Sequence, residues 1–127
     1  MEKSVAELLD TLSISKLKAE RIGTPQTKVK LAKYEAGLEE VKAKYPQYDW
    51  DFIVQMFVDA NSLIWKYEAA IRQGTIDDDP FVVYGRTVLV REFNSLRVAL
   101  GNLVSIMIGE TDELNIKRDH LSAGGNK

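Results

Sequence analysis

Cysteine is absent from this 127-residue chain, histidine occurs once and proline three times. Without a thiol there is no disulfide scaffold and no Cys-ligated zinc or iron–sulfur site. A single imidazole excludes a multi-His metal centre. No apolar run reaches the ~18 residues that a membrane-spanning helix needs. The start, Met1-Glu2-Lys3, is not followed by the apolar core of a secretory signal. Cytoplasmic residence is the expectation, with no membrane partner. A strong charge of one sign is also missing: 17 Lys and Arg face 19 Asp and Glu, a net charge of −2. No whole-molecule field therefore pulls in a polyanion, and any anion site has to be local.

What remains is 45% apolar and 28% charged, in a length typical of one domain. Gly and Pro divide it. Gly23-Thr24-Pro25 reads as a helix stop followed by a start, with Thr24 as N-cap and Pro25 in the first turn. Pro46 disfavours helix at Tyr45. Asp49 or Asp51 can cap a third helix, which Gly74 closes. Asp79-Pro80 repeats the cap-plus-proline signal, and Gly109 closes a fourth helix.

The segments between these marks have helical periods. Val5, Leu8, Leu9 and Leu12 recur on one face, and Leu31, Tyr34, Leu38, Val41 and Tyr45 on another. The third segment runs Ile53, Phe57, Ala60, Ile64, Tyr67, Ile71, and the fourth Leu89, Phe93, Leu96, Leu100, Leu103, Met107. Alternating steps of four and three are the seam of a helix packed lengthwise on another. The expected fold is all-α: a long antiparallel helical hairpin preceded by two shorter helices. Residues 81–90 are rich in β-branched and aromatic side chains around Gly85, so a small β-hairpin there is the alternative. Three regions follow: an N-terminal basic helical region at 1–46, a central helical hairpin for oligomerisation at 47–110, and a C-terminal tail at 111–127.

The third and fourth helices carry apolar residues beyond their seams. A helix that is apolar almost all round is central or packed on both sides. The surplus predicts a homo-oligomer interface at Trp50, Val54, Val58, Trp65, Val98 and Val104. A monomeric bundle covered by the two N-terminal helices is the alternative.

Charge is uneven along the chain. Residues 16–33 place Lys16, Lys18, Arg21, Lys28, Lys30 and Lys33 against Glu20 alone. Around a helix–turn–helix junction these cations can meet phosphates, and the N-terminus of the second helix adds its own attraction for anions. A solvated face with Lys16 and Glu20 paired one turn apart is the alternative. The Asp77-Asp78-Asp79 run lacks the alternating spacing of a calcium loop and reads as helix capping. His120 stands alone near the end of the chain. There is no nucleophile elbow, no phosphate-binding glycine loop and no Glu-x-x-His pair. No enzyme and no cofactor are expected.

Residues 47–121 resemble the small terminase subunits of tailed phages. The resemblance lies in an acidic, aromatic start (Tyr48-Asp49-Trp50-Asp51) and an Ala60-Asn61 centre. It continues in an aromatic and basic end from Trp65 to Gly74, then a second helix with Arg91, Phe93, Leu96 and Leu100 before Gly109. It implies a ring-forming, non-catalytic DNA-binding protein of viral genome packaging, working in the host cytoplasm. The basic N-terminal region would touch duplex DNA. The tail, with Lys117 and Arg118, would engage a large terminase subunit. The alternative is a small helical interaction module, binding a partner or sequestering a ligand, with no role on DNA.

Overall fold

The computed structural model describes residues 3–73 and 79–110, which form four α-helices and no strand. Helix α1 spans Val5–Arg21, α2 Pro25–Lys44, α3 Trp50–Gln73 and α4 Pro80–Ile108. Each begins where a side chain takes up a free backbone N–H. Ser4 accepts from the Glu7 N–H while the Glu7 carboxylate accepts from the Ser4 N–H, a reciprocal capping box. Thr24 caps α2, Asp49 accepts from the Phe52 N–H, and Asp79 accepts from the Phe81 N–H. Gly23 and Gly109, at φ of 73° and 83°, turn the chain out of α1 and α4 in the left-handed conformation that glycine adopts without strain.

Helices α3 and α4 pack lengthwise as the hairpin, with Tyr67 and Phe93 stacked at 6.1 Å between ring centroids. Helix α1 lies against both and also carries α2, which packs mainly on α1. One apolar cluster joins all four helices: Leu9 and Leu12 of α1, Val41 of α2, Phe57 of α3 and Val104 of α4. Trp50 closes its lower end. Its Nε1 donates to the Tyr45 carbonyl at 2.7 Å, and Tyr48 Oη donates to the Met107 carbonyl at 3.0 Å. The link between α2 and α3 is thereby fastened to the end of α4.

Residues 81–90 are the first turns of α4, as the all-helical reading expects; the small β-hairpin kept as its alternative is not formed, and local strand propensity yields to the helix that Asp79 and Pro80 start. The seam read for α4 is corrected: it is rotated. Phe93, Leu100 and Met107 are half-buried as expected, but Leu89, Leu96 and Leu103 stand 38%, 46% and 56% exposed. The covered face is centred instead on Arg97, Gly101 and Val104, because α1 presents Asp10 and Ala6 to it.

Candidate interaction surface

The rotation of α4 is fixed by a polar clamp within the bundle. Arg97 Nε donates to Asp10 Oδ2 at 3.1 Å and lies 3.0 Å from Oδ1 as an ion pair. Asn61 of α3, 5% exposed, donates to Asp10 at 3.0 Å and to Ser13 Oγ at 2.7 Å. Ser13 Oγ in turn donates to the Asp10 carbonyl. Three helices thus meet on one carboxylate, and each buried polar group in the set has a partner. One turn further, a Cβ on Gly101 would lie 3.6 Å from the Cβ of Ala6, so the two backbones run close. With these residues turned inward, the opposite side of α4 has to face out.

That outer face is apolar along the whole helix. Val82, Leu89, Leu96, Leu103 and Ile106 are exposed by 38–56%, and Phe81 at the open end by 85%. Gly85 and Ala99 complete the stripe, and Glu92 is its one charged position. A 29-residue helix is ~43 Å long at ~1.5 Å per residue, so the stripe is long as well as apolar. Single exposed apolar side chains need no explanation, but a continuous band of them marks an interaction site.

The residues expected at the oligomer interface sit elsewhere. Trp50, Val54 and Val104 are 2–4% exposed in the chain's own core, and Val58 packs half-buried against that core. Trp65 is covered by the Arg21 guanidinium, 5.2 Å from its ring centre. Val98 lines a cleft beside Asp10 and Arg97. These positions are thus taken up within the chain, and the apolar residues of α4 that stay outward include three of the expected seam, Leu89, Leu96 and Leu103.

The six basic residues at 16–33 are all exposed, but they are not gathered on one face. Lys16 shares a depression with Glu35, Glu39 and Asp51. Arg21 donates to Ser62 Oγ at 2.8 Å while it covers Trp65. Lys33 borders a groove of about 460 Å³ floored by Leu8, Gly37 and Val41, on another side of the α1–α2 pair. Lys18 lies in the last turn of α1, and Lys28 and Lys30 in the early turns of α2. At Lys16, proximity in sequence to the other cations conceals the carboxylates that α2 and α3 bring beside it. Lys117 and Arg118 lie outside the described residues.

One lysine is visibly tuned by this arrangement. Lys42 donates to Asp51 at 2.9 Å and sits 3.5 Å from Glu39, and the hydrogen bond to Asp51 raises its pKa from the ordinary 10.5. Among the described residues no group of His, Asp or Glu side chains is placed to hold a metal ion, and no helix is long and apolar enough to cross a membrane.

The outer stripe of α4 and the Asp10 clamp were missed in the sequence because the mistaken seam used up the same leucines. The signal was present: a second three-four alternation runs through Val82, Gly85 and Leu89 to Ile106. Comparison with known proteins adds no relative to this picture: no family model matches the chain, and no curated protein or solved structure matches it.

Proposed function

We propose that this chain is a non-catalytic helical assembly module that works by docking the outer face of α4 onto another helical surface. The observation that carries the reading is the apolar band from Val82 to Ile106, interrupted only at Glu92, on a helix whose other side is locked by Arg97 and Val104. Helix-on-helix docking uses such bands, with anchors three and four residues apart. The experiment is solution mass by light scattering on the wild type and on Leu96→Glu/Leu103→Glu. The wild type is expected to associate and the variant to remain monomeric with unchanged helicity. A wild type that stays monomeric would remove the reading.

A nucleic-acid adaptor of the small-terminase kind is the second reading, and the start of α2 favours it. Its first turn carries no acidic residue, Thr24 caps it, and Lys28 and Lys30 are exposed close by. Backbone N–H groups with adjacent lysines suit phosphate. The test is duplex DNA binding across a salt series, comparing wild type with Lys28→Glu/Lys30→Glu. Salt-sensitive binding lost in the variant supports the adaptor; no binding at low salt rejects it.

A further inference from the structure

Resting on the assembly reading, we infer that the surface that covers α4 is α4 of a second copy, running antiparallel about a two-fold axis near Asn94. The eight stripe positions alternate by three and four residues, the pattern of a two-stranded helical seam. In an antiparallel pair centred on residue 94, each position meets the one equally far beyond the centre. Leu103 then lies opposite the partner's Gly85, and Leu89 opposite the partner's Ala99. Val82 meets the partner's Ile106, and Leu96 the partner's Glu92. In the Leu103–Gly85 and Leu89–Ala99 layers a large side chain falls opposite a small one, as close packing requires.

Two further observations favour this orientation. Gly85 has no reason to be glycine within one protomer: it lies inside a helix, its φ is not positive, and an added Cβ would meet nothing within 4 Å. Glycine in a helix interior costs ~1 kcal/mol relative to alanine, and room for the partner's Leu103 accounts for it. A parallel pair would instead set Gly85 against Gly85 and Glu92 against Glu92, leaving one layer empty and placing like charges in contact. In the antiparallel pair the two Glu92 are offset by four residues, ~6 Å along the axis, with exposed edges through which they reach water.

The size is adequate. The band from Val82 to Ile106 is ~37 Å long and ~10–12 Å wide, a projected area on the order of 400 Å² per protomer. The relief of the side chains raises the accessible area that is covered toward the ~800 Å² per partner of a stable interface. Such a contact is isologous and closes at two copies.

The absence of native cysteine makes the test direct. Light scattering at a concentration of roughly 100 µM, above a micromolar Kd, is expected to give twice the 14.3 kDa of the chain. Val82→Cys and Ile106→Cys proteins are expected to cross-link when mixed and not when each is oxidised alone. Gly85→Leu, which adds an apolar side chain to open space, is expected to weaken association at least tenfold while helicity is kept. Cross-linking of Ile106→Cys to itself, or stronger association of Gly85→Leu, would overturn the antiparallel pair and leave the assembly reading standing. A ring-sized mass overturns the two-fold pairing and favours the adaptor. A monomer at this concentration overturns both this inference and the reading beneath it.

Discussion

Arg97 of α4 and Asp10 of α1 are 87 residues apart in sequence, yet the guanidinium Nε spans both oxygens of the carboxylate at 3.0 and 3.1 Å. Their side chains are only 32% and 25% exposed. The pair therefore sets the rotation of α4 as well as its distance from α1. Arg97→Leu leaves the half-buried Asp10 carboxylate with Asn61 as its remaining side-chain donor. The expected loss is about 1.5–3 kcal/mol in a urea titration, the range for hydrogen bonds to charged groups. Arg97→Leu/Asp10→Leu should cost less than the sum of the two single changes, since the second removes the stranded charge.

Phe57 is fully buried at the meeting of α1, α3 and α4. Phe57→Ala removes a ring from a site with rigid neighbours on every side. A loss of about 3–5 kcal/mol is expected, a large part of the stability of a domain this size. Thermal unfolding followed by circular dichroism reads it.

Ser105 is as deeply buried as Phe57, and its Oγ has no hydrogen-bond partner among the described residues. An unsatisfied buried hydroxyl carries its desolvation cost with no return, so Ser105→Ala should raise stability by roughly 1 kcal/mol. The melting temperature is expected to move up by a few degrees. A fall of that size would mean that the hydroxyl is satisfied in solution.

Lys42 bridges α2 to the start of α3 through Asp51. Its pKa is raised in the folded state, so the ion pair adds stability below pH 10.5 for as long as Asp51 is ionised, and loses it as pH rises through the higher folded value. Lys42→Met should therefore leave a small deficit at pH 7 that disappears in strongly alkaline solution. Unfolding at the two pH values, wild type against variant, checks the sign. Both side chains reach solvent, so the deficit should shrink in high salt.

The helices were legible because their ends are written in local chemistry. Thr24-Pro25, Asp79-Pro80 and the glycines at 23 and 109 act on neighbours within a few residues. The seam of α3 was legible for the same reason: Phe57, Ala60 and Ile64 have one period and one face. Ser4-x-x-Glu7 carried an equally local signal that the reading passed over. The facing of α4 was not legible, since two apolar stripes overlap on it and only Asp10, from the far end of the chain, selects between them. The surroundings of the charge window were not legible either. Lys16 has Glu20 as its near acid in sequence, and the fold adds Glu35, Glu39 and Asp51 beside it. Periodicity says that a face exists; long-range polar partners decide which way it looks.

The buried residues of α2, Leu38 and Val41, both lie in its second half, and the helix leans chiefly on α1. From Pro25 to about Lys30 it is held by its cap and its own backbone ladder, and such a stretch of helix is marginal in water. Amide exchange should therefore grade along this one helix, fast at the start and slow near Val41. The molecule has a firm end, where Trp50 and Tyr48 tie three helices together, and a soft end, where α2 begins. A ligand arriving at the soft end could remould the backbone at little energetic cost, while the face presented by α4 stayed where Asp10 holds it.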